Sequence, residues 1–127
     1  MSRGSFEPLF LKSMHELGIV MNVIKQVEEV AEQNQVEQVK ELTMEVGEVS
    51  AIVPELFTDC FEWAKKKTKY MQDCVLDLVV LEAISYCQDC KKNFKTTQYA
   101  KQCPHCGSVN TYLITGNEIN IHDIKVV

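Results

Sequence analysis

Four cysteines carry the clearest chemical signal in the sequence. They form two Cys-x-x-Cys pairs with twelve residues between them, at Cys87, Cys90, Cys103 and Cys106. Each pair predicts a tight turn that points two thiolates at one ion, and a hairpin between the pairs would close a tetrahedron around it. Gly107 follows the second pair and can adopt the positive φ that such a turn often needs. Four protein ligands leave no position for water or substrate, so the pattern predicts one closed, structural Zn²⁺ site.

Two alternatives compete with zinc at these cysteines. Disulfides would use the same residues, but six cysteines in a chain without a recognisable secretion signal favour metal ligation. Iron is the rival metal, because the Cys-Pro-x-Cys-Gly segment that ends at Gly107 resembles the second knuckle of rubredoxins. The first pair lacks a following glycine and the gap between the pairs is short, so zinc is favoured. Cys60 and Cys74 fall outside the pattern and are predicted to be buried small hydrophobic residues.

A second candidate ligand, His15, lies in the segment Ser13-Met14-His15-Glu16. Ser-x-x-Glu before an apolar helical pattern is the signature of a capping box, in which the Glu16 side chain reaches back to the backbone of Ser13. An exposed imidazole can instead bind a transition metal. From the residues alone, the helix cap is the favoured interpretation.

The composition limits the classes of protein to which the chain can belong. With 127 residues, 46% of them hydrophobic, the chain can build one domain with a small satellite. No apolar run approaches the ~20 residues of a membrane span, so we expect a cytoplasmic protein without membrane contact. A formal net charge of −5 disfavours nucleic-acid binding. The competing hypothesis, a zinc ribbon that binds nucleic acid, would use a small basic and aromatic set: Lys91, Lys92, Lys95, Lys101, Phe94 and Tyr99.

Hydrophobic periodicity predicts the elements that must position these residues. Apolar residues at steps of three and four predict a helix from Met14 to about Gln33, and Pro54 is suited to the first position of a second helix. The lysine-rich run 65–69 would then occupy the last turn of the second helix. Alternating or continuous apolar patterns predict three strands, around residues 42–46, 75–83 and 119–121.

The cysteine segment lies between the second and third predicted strands, so it is an insertion rather than a tail. The predicted fold class is α+β, with two helices packed on a small three-stranded sheet and an inserted four-cysteine zinc ribbon. We expect three segments: a leader or extension at 1–13 outside the native fold, a main domain formed by 14–84 plus 114–127, and a zinc-ribbon domain at 85–113.

Four motifs, in their order and spacing, give the chain a family resemblance. They are Met14-His15-Glu16-Leu17 at a helix start, Met44-Glu45-Val46-Gly47-Glu48-Val49, Val53-Pro54-Glu55-Leu56, and the two Cys-x-x-Cys pairs. Over nearly its whole length the chain resembles the HypA/HybF family, nickel metallochaperones for the maturation of nickel–iron hydrogenases and, in some organisms, of urease. The resemblance implies a metal-delivery protein and not an enzyme. It also implies two partners, a HypB-like nickel-insertion GTPase and a hydrogenase large-subunit precursor.

The resemblance further implies a second metal site, in which the main domain holds Ni²⁺ as transient cargo. In the family this site is built at the mature N-terminus, which implies ligands from the α-amine of Met14, the amide and imidazole of His15, and the amide nitrogen or carboxylate of Glu16. Adjacent nitrogens of one short segment can chelate in a plane, an arrangement that suits Ni²⁺. Thirteen residues precede Met14. We expect the native chain to start at Met14, because Met14 is itself a methionine and the leader has no matching pattern. If the leader is native, the amine ligand is lost and the site is altered.

Overall fold

The computed structural model describes residues 14–127. The leader at 1–13 and the capping box predicted at Ser13 lie outside the described residues. The described elements follow in this order: α1 (Met14–Gln33), β1 (Val39–Gly47), α2 (Pro54–Lys65), β2 (Val75–Leu81), β3 (Ile84–Cys87), β4 (Asn93–Lys95), α3 (Thr96–Tyr99), β5 (Thr111–Thr115) and β6 (Ile119–Val126). The two long helices and the three strands that the pattern predicts are all present, and β1 and β6 are longer than predicted.

The strands of the described chain form two three-stranded sheets. β1 is the central strand of the first sheet, in the order β2-β1-β6, and β3 is the central strand of the second, in the order β4-β3-β5. The second sheet is antiparallel, with Ser85 on β3 opposite Phe94 on β4 and Leu113 on β5. Because this second sheet lies between β2 and β6 in the chain, the predicted α+β fold with an inserted ribbon is confirmed.

The two long helices and β1 supply most of the main core. α1 and α2 pack against each other, and both turn an apolar face inward because their apolar residues recur at the helical period. β1 adds Leu42 and Met44, which alternate with half-buried neighbours. The largest fully buried side chains of this core are Phe57, Phe61, Leu42, Met44, Met71, Val20, Val27 and Val39.

α2 begins at Pro54, as predicted, but ends at Lys65. The prediction that the lysine-rich run forms its last turn is therefore wrong beyond Lys65. The N–H groups of Lys67 and Thr68 bond only three residues back, to the carbonyls of Ala64 and Lys65. The Thr68 hydroxyl also donates to the Lys65 carbonyl at 2.6 Å. This tight turn occupies the carbonyls that a continuing helix would need.

Contacts divide the chain into two compact units. Within the described residues, the first comprises 14–44 together with Ile52–Leu78 and Ile121–Val127, and it contains α1 and α2. The second comprises Glu45–Ala51 and Val79–Asn120, and it contains both Cys-x-x-Cys pairs. The domain limits expected from the sequence stay a prediction. Within the described part of the chain, no helix is long and apolar enough to cross a membrane.

Candidate metal centre

Two short turns carry the paired cysteines. In the first, which follows β3, the Lys91 N–H donates to the Cys87 carbonyl at 2.8 Å and the Cys87 N–H donates to the Lys92 carbonyl at 3.0 Å. In the second, the Gly107 N–H donates to the Cys103 carbonyl at 2.8 Å. Gly107 has a φ of 77°, as predicted, and Lys91 has a φ of 62° at the matching position of the first turn. The left-handed backbone at these two positions closes each turn tightly.

The four thiols form one cluster. Their Sγ atoms all lie within 4.8 Å of one another, with 3.6 Å between Cys87 and Cys106 and 3.5 Å between Cys90 and Cys103. Sulfurs around one tetrahedral Zn²⁺ stand about 3.8 Å apart, because each Zn–S bond is about 2.3 Å long. A disulfide needs an S–S distance of about 2.05 Å, and all four cysteines are free. The cluster therefore fits a structural zinc ion and not a pair of disulfides.

These thiols need a cation in order to ionise together. The backbone N–H groups of Cys90 and Asp89 lower the pKa of Cys87 to about 7, against the effect of burial. Burial and the neighbouring thiol of Cys103 instead raise the pKa of Cys90 to about 12. Because the thiolate is the form that binds metal, a divalent ion is what can hold all four sulfurs deprotonated at neutral pH.

Side chains outside the four cysteines hold the two turns together. Asp89, in the first turn, accepts a hydrogen bond from the Ser108 hydroxyl and a second from the Asn110 side-chain amide at 3.3 Å. Phe94 on β4 packs with the buried cysteines of both turns. Such partners orient metal ligands. The predictions from the sequence do not include this role of Asp89, although the sequence carries a signal for it: an acid inside one Cys-x-x-Cys pair, with Ser and Asn after the other pair.

The three residues of the N-terminal motif differ in exposure. Met14 is 65% exposed and His15 is also exposed, whereas Glu16 is only 3% exposed. The Oε2 atom of Glu16 accepts a hydrogen bond from the Val53 N–H at 2.9 Å, a contact that was not predicted from the sequence. The motif therefore offers the imidazole of His15 to solvent at the start of α1, and it turns the Glu16 carboxylate toward the start of α2.

The remaining cysteines and histidines lie elsewhere in the fold. Cys60 on α2 and Cys74 before β2 are fully buried. Burial raises the pKa of both thiols, that of Cys74 to about 11. Their interpretation as buried small hydrophobic residues is confirmed. His105, in the second cysteine turn, and His122, on β6, are exposed.

Comparisons of the sequence with known proteins agree with this arrangement. The model of the family described as "Hydrogenase/urease nickel incorporation, metallochaperone, hypA" matches residues 14–126. Hydrogenase maturation factor HypA of Actinobacillus succinogenes is 34% identical over 113 residues, which cover 89% of this chain and 99% of that protein. Hydrogenase maturation factor HybF of Klebsiella pneumoniae is 30% identical over 112 residues, which cover 88% of this chain and 98% of that protein.

Two solved structures share the fold. The solution structure of the Ni metallochaperone HypA from Helicobacter pylori is 28% identical with a TM-score of 0.66, and the match covers 88% of this chain and 97% of that chain. A second solution structure of a HypA protein is 30% identical with a TM-score of 0.70, covering 90% and 97%. The family delivers nickel to hydrogenase and is not a family of enzymes. The chain belongs to the HypA family of nickel-incorporation metallochaperones.

Proposed function

We propose that the chain binds one Ni²⁺ at Met14–Glu16 and releases it during hydrogenase maturation. The ligands would be the α-amine of Met14, the amide nitrogen and imidazole of His15, and one donor from Glu16. Nitrogens that follow one another along a short segment can surround an ion in a plane, and such a set suits Ni²⁺. Protons compete with nickel for these nitrogens, so affinity should fall in acid.

The observation that carries this proposal is the residue at which the family match begins. The match begins at Met14, and 113 residues of the chain cover 99% of the A. succinogenes relative. Met14 and His15 are exposed at the start of α1, where the first N–H groups of a helix have no partner within the helix. We therefore propose that the functional chain starts at Met14, whose amine is then available to the ion.

The zinc ligands that we propose are Cys87, Cys90, Cys103 and Cys106, in a ribbon domain at 85–113. Their sulfur spacing supports this assignment. The buried hydrophobic cluster at this site comprises Phe94 and two of the ligands themselves, Cys87 and Cys103. A core of this size cannot supply the folding free energy of a separate ribbon, so zinc binding would supply it.

The partners that we propose follow from nickel delivery. The client would be a hydrogenase large-subunit precursor, and a HypB-like GTPase would assist nickel insertion. All six cysteines are free thiols, which fits the cytoplasm, where thiols stay reduced. The net charge of −5 disfavours nucleic acid as a partner.

Calorimetric titration with Ni²⁺ tests the nickel site on four samples. These are the chain from Met14, its His15→Ala and His122→Ala variants, and the chain with the leader. His15→Ala should abolish nickel binding because the imidazole is the strongest side-chain nitrogen donor of the site. His122→Ala is the matched control and should bind nickel like the parent, since His122 lies on β6.

The leader should weaken nickel binding because an amide nitrogen replaces the amine. Zinc content, measured by elemental analysis, should be the same in all four samples. Equal nickel affinity in the parent and in His15→Ala would remove His15 from the site and refute the proposal.

A further inference from the structure

The Glu16 carboxylate is turned into the protein, unlike its exposed neighbours. Glu16 is 3% exposed, against 65% for Met14. Its Oε2 accepts a hydrogen bond at 2.9 Å from the N–H of Val53, 37 residues away in sequence. Val53 is the N-cap of α2, and its own side chain makes no capping hydrogen bond. Glu16 thus brings an acceptor and a negative charge from α1 to the N-terminus of α2, where both are favourable.

This contact conflicts with ligation of nickel by the same carboxylate. To reach an ion held by exposed residues, the Glu16 side chain would have to leave the interior and give up a charge-assisted hydrogen bond. The N-terminus of α2 would then lose this acceptor. The amide nitrogen of Glu16 has no such conflict, because it belongs to the backbone of the first turn of α1.

We propose that Glu16 is a positioning residue of the nickel site and that its carboxylate does not bind the ion. This inference rests on the nickel site proposed above. The hydrogen bond between Glu16 and Val53 holds the first turn of α1 against the start of α2. The amine, amide and imidazole that precede the carboxylate are then arranged before nickel arrives. Without the hydrogen bond, these donors would be ordered only on binding, which lowers affinity.

Two substitutions in the chain from Met14 separate positioning from ligation. Glu16→Gln keeps the length of the side chain and an acceptor oxygen for Val53, but it removes the carboxylate. Glu16→Asp keeps the carboxylate, but it shortens the side chain by one methylene and moves the acceptor away from Val53. The chain from Met14 keeps all of the residues that match the family, 14–126.

Val53→Pro removes the same hydrogen bond from the donor side. Proline has no N–H. The ψ of 114° at Val53 is close to the range of a residue that precedes proline, whereas the φ of −92° must shift by about 27° to reach the −65° of a proline ring. Val53 contributes no donor to the proposed nickel site, so a loss of nickel affinity in a Val53→Pro variant with the circular dichroism spectrum of the parent comes through positioning.

Calorimetry measures nickel affinity, and hydrogen exchange measures protection of the Val53 N–H in the zinc-loaded, nickel-free protein. Glu16→Gln should bind nickel within about threefold of the parent, because a neutral acceptor keeps roughly half the strength of the hydrogen bond. Its nickel absorption spectrum should match that of the parent, since the ligands are the same. Glu16→Asp and Val53→Pro should bind nickel about tenfold or more weakly, and Glu16→Asp should lose protection of Val53.

The opposite order of affinities overturns the inference. If Glu16→Asp binds nickel like the parent while Glu16→Gln is tenfold weaker, the carboxylate is a ligand. Parent-like affinity in Val53→Pro, or a Glu16→Gln variant that does not fold by circular dichroism, also contradicts the positioning role. If the parent itself binds no nickel, both the proposed nickel site and this inference are refuted. Protection of Val53 in the parent would then assign Glu16 to capping α2 alone.

Discussion

Gly47, at the end of β1, lies beside Gly116 and Asn117, where the chain leaves the ribbon. Gly47→Ala should push the end of β1 away from these two residues. A methyl group added at Gly47 would overlap the Gly116 carbonyl and lie 2.5 Å from the Asn117 nitrogen. Both are backbone groups, so neither can rotate away as a side chain would. Gly116 has a φ of 120°, and a methyl group there would lie 2.6 Å from the Cβ of Ala83. The backbone around Gly47 therefore has no room to relax by a small local shift.

The expected decrease in the free energy of unfolding follows from the backbone hydrogen bonds around Gly47. Three backbone N–H groups donate here, from Gly47 to Glu118 at 2.7 Å, from Glu48 to Leu81 at 2.7 Å, and from Val49 to Gly116 at 2.8 Å. Each backbone hydrogen bond contributes about 1 kcal/mol net, so losing all three lowers the free energy of unfolding by about 3 kcal/mol. That is a large part of the roughly 5–15 kcal/mol by which domains are stable.

Gly18→Ala is the matched control for this prediction. Gly18 is exposed in α1, and nothing lies within 4 Å of an added Cβ. Alanine should therefore stabilise the chain by about 0.5–1 kcal/mol through its higher helix propensity. Urea unfolding of the zinc-loaded protein, followed by circular dichroism, measures both variants. A Gly47→Ala variant within about 0.5 kcal/mol of the parent would refute the steric reasoning.

Three further predictions concern the cysteines. Cys87→Ala should lose stoichiometric zinc and unfold the ribbon while α1 and α2 persist, because zinc binding of about 10–16 kcal/mol supplies the folding energy of such a ribbon. Elemental analysis and circular dichroism measure the two effects, and full zinc retention would contradict the four-thiolate site. In native protein stripped of zinc, a thiol reagent should modify four cysteines, because Cys60 and Cys74 are buried and burial raises the pKa of both thiols. The pKa of Cys74 in the fold is about 11, above that of an unfolded thiol, so its contribution to stability is present at neutral pH and is lost as the pH rises toward 11. Rapid modification of all six cysteines before unfolding, or stability unchanged by alkali, would contradict this burial.

The sulfur cluster could be predicted from the sequence because its geometry is mostly local. Each Cys-x-x-Cys turn sets the position of two sulfurs within four residues, and one hairpin brings the turns together. Lys91 shows where the pattern is incomplete, since it adopts a φ of 62° without being glycine. The lack of a glycine after the first pair therefore does not prevent that turn from closing.

The roles of Glu16 and Gly47 could not be predicted, because their partners are distant in the chain. The Ser-x-x-Glu pattern predicts a local cap at Ser13, whereas the described carboxylate contact reaches Val53 across 37 residues. The strand pattern likewise marks Gly47 as the end of β1 but not as a neighbour of Gly116. One sequence shows periodicity and local spacing, and neither property indicates which distant backbones meet.

The two proposed metal sites place different demands on the exposure of their ligands. A structural ion must stay bound, and two of its four proposed ligands, Cys87 and Cys103, are 0% and 1% exposed, whereas Cys90 is half-buried and Cys106 is exposed. A cargo ion must leave for a partner, and the proposed donors at Met14 and His15 are exposed, where a partner's ligands can approach. An exposed site gains little affinity from burial, so its affinity depends on how well its donors are arranged beforehand. In the proposed site, the buried Glu16 side chain would arrange these donors without covering the ion, so that nickel could be both bound and released.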